Sequence, residues 1–538
     1  MTKGLIQILP ASLASVLLVA CGGGGGGSAG TIQKCSSYPE LNNPNSNCPA
    51  WHDEQTLAET GATARSIDSP AISIDEDGNI SAIFRLETDN GAQEGFKDIT
   101  YEYDNAQWNE PSPNLFLDNV LPSVATFIDE GVRTYAYTSG SSSTDTVTVQ
   151  QGAFNMSGTE LTSPEFAPDE VKLFASTVVS YGSEEHPVYA YIVQSNSNYD
   201  VCLTYKPNSA ASYQDECSDI DPSVELNASA QQFSSLSLSA EFSSNTLKAG
   251  LVFGENLSYT DGSTVTLDRV VAANISANAS GITNHVSKVI AQDTSGTNQY
   301  ANPQVELASG SAALFVTFDE LANDQVGLFI LDENLDMAHP ATLASSIVNG
   351  GLTFDTARNA RLVKAPDGDM VWAFYATKHG NERPIIRRIN FSGADQAGYQ
   401  LDDAQVLQAG LVGSAGYTQN ALDMAFAGNG NMAIAYKESL CEDADNVGAG
   451  SCSQYTSRVR VAYFRVQTGL FDQSTSSIIS QQSFENESAI VDIPTDNQAL
   501  AIDVNSGQGQ AAIIFQERRA PQSGSGPAEN TVRVLRLD

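Results

Sequence analysis

The chain has 538 residues, with 26 basic and 64 acidic side chains and a formal net charge of −38. A surface this acidic repels phosphate backbones and anionic lipid alike, which excludes nucleic acid as a partner and a charge-driven hold on a membrane. The length accommodates either several domains or one large β architecture.

In chain order, the first segment is a leader. Lys3 precedes the apolar stretch "GLIQILPASLASVLLVA", which Pro10 interrupts. This is too short and too broken for a membrane-spanning helix, which needs roughly 20 apolar residues. Leu18, Val19 and Ala20 then lead into Cys21. This arrangement resembles the lipobox of bacterial lipoproteins. The resemblance implies that residues 1–20 are a cleaved signal peptide and that Cys21 becomes the lipidated first residue, each buried methylene of its acyl chains contributing about 0.8 kcal/mol of membrane affinity. Gly22, where inner-membrane lipoproteins carry a retention residue, points by the same resemblance to the outer membrane, on its periplasmic or cell-surface face. Residues 21–34, dominated by Gly22 to Gly27, read as a flexible tether.

Seven cysteines follow a simple arithmetic. With Cys21 assigned to lipid, the others fall into local pairs: Cys35 with Cys48, Cys202 with Cys217, and Cys441 with Cys452. In an exported chain such pairs read as disulfides, each contributing on the order of 3 kcal/mol by restricting the unfolded chain. Residues 35–50 are then a bridged N-terminal segment. Zinc is the competing reading, but CxxC is absent and His52, His186, His285, His339 and His379 are dispersed.

From residue 51 onward one pattern returns. In "AISIDEDGNISAIFRLE" an alternating apolar run meets a turn at Asp77-Gly78, and alternation resumes up to Phe84. The same grammar recurs around Gly131 and Tyr137, Gly368 and Phe374, Gly430 and Tyr436, and Gly509 and Phe515. Asp-Gly or Asn-Gly between alternating runs signals a hairpin, because glycine accepts the positive φ of the turn. Weaker copies reach Tyr191, Phe253 and Phe318, so eight marker aromatics recur at a mean step of about 62 residues. Strand-like runs such as "PIIRRINF" and "TVRVLRLD" follow the hairpins.

These units resemble those of β-propellers, and the expected fold is all-β, a propeller of eight four-stranded blades over residues 51–538. The last unit ends after its third strand. Residues 55–66 are therefore expected to supply its fourth and so close the ring with an N-terminal strand. Within the repeat, "SIDEDGNISAIF" looks like the Asp-box of sialidases, with an extra residue before the glycine and no aromatic soon after it.

Catalytic signatures such as HExxH and GxxxxGK[ST] are absent. Arg383, Arg387 and Arg388 form the densest basic cluster; they read either as anion contacts, of the kind a carboxylate clamp uses, or as strand residues paired with neighbouring acids. Asp75, Asp77 and Asn79 have the alternating oxygens of a calcium loop, yet sister units put "PDGD" and "GQGQ" there, so a turn explains them better. No cofactor is expected. Long polar connections follow the marker aromatics in several units and should share one propeller face. The function these readings point to is a lipid-anchored envelope protein that binds or scaffolds through those loops, with another envelope protein or a glycan as partner. The alternative is a polysaccharide-active hydrolase or lyase working in the propeller funnel.

Overall fold

The computed structural model describes the strands between Trp51 and Leu537 and many of their turns. Residues 1–50 and several connections, among them 60–66, 110–114, 220–227, 344–355, 407–416, 442–453, 486–499 and 520–528, lie outside the described residues. The described residues form eight antiparallel sheets. Each begins with an innermost strand: Ile67–Ile74, Val124–Asp129, Val171–Tyr181, Ala228–Ser243, Tyr300–Leu307, Thr356–Lys364, Leu422–Phe426 and Leu500–Val504 for sheets 1 to 8. Each innermost strand touches that of the next sheet, and the eighth touches the first, so the sheets form a closed β-propeller ring.

All eight marker aromatics fall on the second strand of their sheet. These strands read as nearly continuous apolar runs because both of their faces are covered. On Met370–Lys378 the alternation is explicit. Met370, Trp372 and Phe374 pack against sheet 5, whereas Val371, Ala373 and Tyr375 pack against sheet 7. On Asn431–Cys441, Met432, Ile434 and Tyr436 face sheet 6, while Ala433 and Ala435 face sheet 8. Phe84, Phe253, Phe318, Phe374, Tyr436 and Phe515 are all turned towards the preceding sheet. The core is therefore a set of apolar seams between sheets, repeated around the ring.

Three innermost strands carry a bulge opposite the aromatic: the register slips between Asp68 and Ala71, Ala301 and Gln304, and Arg358 and Arg361. Asn302 and Asn359 occupy two of these bulges with φ of 50° and 57°, a left-handed conformation that asparagine tolerates better than most residues.

The ring closes through the N-terminal strand. Trp51–Glu59 pairs antiparallel with Glu529–Leu537, giving the last sheet its fourth strand. The closing strand starts and ends earlier than the expected 55–66; residues 60–66 lie outside the described residues. Cys202 and Cys217 form a disulfide between directly opposed positions of Asn198–Tyr205 and Gln214–Asp219. The other two expected bridges, like Cys21, include residues outside the described set.

Candidate functional site

The axis of the ring is lined by the edges of eight innermost strands. Each such edge has backbone N–H groups that no further strand pairs, and a buried orphan donor is costly. The described seams solve this with side chains. Ser73, Ser239, Glu306 and Asp503 occupy one equivalent register, each opposite the residue three before the marker aromatic. From there each caps an N–H on the next sheet's innermost strand. Ser73 Oγ accepts from Ile128 at 3.3 Å, Ser239 Oγ from Leu307 at 3.1 Å, and Asp503 Oδ2 from Ile74 at 2.9 Å, while Glu306 accepts from the Lys364 backbone. Two residues earlier, Ser237 caps Val305 at 3.2 Å and Asp423 caps Ile502 at 2.9 Å. These contacts form a ladder of inter-sheet staples.

Charge gathers on the same strands, most of all in sheet 6, whose innermost strand reads "TARNARLVK". Arg361 donates to the Ala360 carbonyl at 3.1 Å, and its charge acts on both Asp319 of sheet 5 and Asp423 of sheet 7. Asp319 accepts from Asn359 N, Ala360 N and Asn302 Nδ2 at 2.9, 3.1 and 2.7 Å. Desolvation by burial nevertheless raises the pKa of both carboxyls above the usual carboxylate value, Arg361 and the hydrogen bonds opposing it. Lys364 reaches past sheet 5 to pair with Glu241 of sheet 4 at 3.1 Å.

Glu306 and Asp503 are displaced further. Both retain some accessible surface, yet their carboxyls lie deep in the ring and desolvation dominates. Glu306 is pushed up to about 7 against the lowering effects of Ser239 and Lys364. Asp503 is pushed up to about 7 by burial, with the backbone donors Ile74 and Val504 opposing and the negative charges of Asp423 and Glu185 adding to the rise.

The basic cluster singled out in the sequence lies elsewhere. Arg387 and Arg388 sit on the third strand of sheet 6, Asn381–Asn390, and both are buried rather than on a strand surface. Arg388 Nε donates to Asp369 Oδ2 at 2.7 Å, and the two residues form an ion pair, so this guanidinium is engaged by an acid within its own sheet. Arg383 is on the same strand, opposite Ala376.

The Asp75–Asn79 segment forms a turn. Gly78 adopts φ 90°, and Asp75 Oδ1 and Oδ2 accept from Asn79 N and Nδ2 at 2.8 and 2.9 Å. Asp77 is exposed, and Asn79 Oδ1 accepts from Tyr103 N at 3.0 Å. The Asp75 carboxylate is thus committed to shaping the hairpin. Among the described residues no group of three or more His, Cys, Asp or Glu side chains is placed to hold a metal.

No family model matches the chain, and no curated protein matches it. Among solved structures it is similar to an α-L-arabinofuranosidase from Fusarium graminearum at 10% identity and a TM-score of 0.34, covering 66% of this chain and 98% of that one. It is also similar to the phage phi92 endosialidase (10%, TM-score 0.33, 90% and 69% covered). A Penicillium chrysogenum α-L-arabinanase gives 12% identity and a TM-score of 0.34, with 64% and 100% covered. These likenesses concern coarse architecture.

Proposed function

We propose that this protein is a lipid-anchored protein of the outer membrane that binds a polysaccharide on the propeller face where the second and third strands of each sheet are joined. The observation that supports this reading is an asymmetry of that face. Second-to-third-strand connections span twelve, nine, six and six residues in sheets 7, 8, 1 and 2, against two, one, four and two in sheets 3 to 6. Long connections on a rigid frame are where recognition residues collect. Cys21 is the proposed anchor. Retention of the protein on immobilised neutral and acidic polysaccharides tests the reading, with a variant in which residues 520–528 are replaced by a two-residue turn. Retention lost in that variant, at an unchanged melting temperature, supports it. Absence of retention on every polysaccharide by the native chain sinks it.

Cleavage of the bound polymer is the second reading. It is favoured by Asp319 and Asp423, whose carboxyls are held above their usual range on either side of Arg361. A carboxyl shifted this way is what a general acid needs. Release of reducing ends, lost in Asp423→Asn, distinguishes cleavage from binding alone. A scaffold for another envelope protein receives no such support among the described residues.

A further inference from the structure

We propose that the ring axis below the polysaccharide-binding face holds an uncharged sugar residue of the polymer, with Arg361 as its main hydrogen-bond donor and Gln304 and Asp423 beside it; the site rests on the binding reading above. Among the described residues the Arg361 guanidinium makes one hydrogen bond, from Nη1 to the Ala360 carbonyl, and no salt bridge. Arg269 and Arg388, by contrast, each pair with an acid of their own sheet. In a chain with 64 acidic and 26 basic side chains, partners for an arginine are plentiful, and this one keeps most of its donor fork open.

Its register places it on the solvated axis. Arg361 lies opposite Ala373, the residue just before the marker Phe374. At the same register sheets 5 and 7 place Gln304 and Asp423, opposite Thr317 and Ala435. On the other side of the ring, sheets 8, 1 and 3 place Ala501, Ala71 and Ala175 there. All six are partly exposed, whereas Leu362, Met424 and Ile502 next along their strands are buried. One wall of the axis is therefore polar at this level, and the wall across from it carries alanines, which take up little space.

The polar wall has hydrogen-bonding capacity to spare. Gln304 Nε2 donates to the Pro303 carbonyl at 3.1 Å, and its Oε1 acceptor is unused among the described residues. Asp423 accepts from Ile502 N at 2.9 Å and from the Met424 backbone, which leaves lone pairs on its carboxylate. Donors and acceptors side by side suit sugar hydroxyls, each of which gives and takes a hydrogen bond. A carboxylate-bearing sugar is a poor fit, because Asp319 and Asp423 flank Arg361 and the chain as a whole stands at −38. Entry is from the rim of the long connections. Thr356, where the strand of Arg361 begins, lies opposite Thr377 at that rim; towards the hairpin face the Lys364–Glu241 pair joins sheet 6 to sheet 4 past sheet 5.

The test is retention of the full chain on immobilised neutral polymers (an α-glucan, a galactan and a galactomannan) and acidic ones (polygalacturonate and alginate). The native chain should be held by at least one neutral polymer and less by the acidic ones. Gln304→Ala, which removes a side chain bonded only to its neighbour's carbonyl, should weaken that hold at least about tenfold at an unchanged melting temperature. Arg361→Met should weaken it further, and Ala71→Leu, which fills the opposite wall, should do so without touching a polar group. Should either of these two fail to fold, Gln304→Ala decides. Full retention by Gln304→Ala, or retention on acidic polymers alone, overturns the site while leaving polysaccharide binding at the rim intact. Absence of native retention on every polymer instead sinks the binding reading, and the site with it.

Discussion

Sheets 3 to 6 and sheets 7, 8, 1 and 2 are two halves of one ring, and they are built differently on the same plan. In the first half the second and third strands are joined by one to four residues. Its seams combine aromatics with charge. Tyr199, Phe233 and Phe253 meet edge-on or tilted, Trp372 donates from Nε1 to Thr317 at 3.1 Å, and Glu255 pairs with Arg269 in full burial. The second half holds the long connections and the point where the two ends of the propeller meet. There the seam depends on Asp503, on Asn505 donating to the Asp75 carbonyl, and on Arg536 lying over Tyr101 and Tyr103 at 4.5 and 4.9 Å. The repeated sheet supplies rigidity in both halves, so length is free to accumulate at one rim without cost to the frame.

Four perturbations sharpen that contrast, and the largest should fall on closure. Deleting residues 22–59 removes the closing strand and exposes the edge of Glu529–Leu537, whereas deleting 22–50 leaves it intact. The longer deletion should lower the melting temperature by at least about 10 °C and broaden the transition, while the shorter one should shift it by no more than loss of the expected Cys35–Cys48 bridge would entail. Equal melts would show that the strand contributes nothing to the ring.

In the tight half, Trp372→Ala empties a seam between sheets 5 and 6 and leaves the Thr317 hydroxyl without its indole donor. A loss of about 3–5 kcal/mol by denaturant titration is expected. In the closing half, Arg536→Ala should cost about 1–2 kcal/mol, with Arg536→Lys recovering part of it, since an ammonium keeps the charge but not the planar stack over the two tyrosines. Full recovery by lysine would mean that stacking is irrelevant there. The smallest effect belongs to single hydroxyl staples. Ser73→Ala uncaps Ile128 N and should cost about 1 kcal/mol, seen as faster amide exchange at Ile128 before any change in the melt.

Much of the plan was legible in the residues. The Asp77-Gly78 turn and the recurring aromatic placed the second strands, because a positive φ and a fully buried ring leave recognisable letters. The absent fourth strand of the last unit pointed to N-terminal closure. The staples were hidden by the same alternation that revealed the strands. Polar letters between apolar ones, as in Ser73 of "AISI" or Asp503 of "AIDV", ordinarily mark a solvent face. In a ring of sheets both faces are covered, so these letters meet the next sheet instead. A constant offset from the marker aromatic was the signal that could have found them. For Arg388 the reading as a strand residue paired with an acid holds, and what the letters hid, for the same reason, was its burial and that of Arg387. A basic pair on a strand reads as exposed, yet the third strand of sheet 6 buries both.

The register of the closing strand also fixes the face at which the N-terminal strand enters the ring. Trp51 lies opposite Leu537 and Glu59 opposite Thr531, so the chain joins the ring at the face of the Asp75–Asn79 hairpin and runs towards the opposite rim. The long connections open on that opposite rim, beside Glu529 where the third strand begins. An anchor at Cys21, as proposed, would therefore be attached on the side of the ring opposite the long connections.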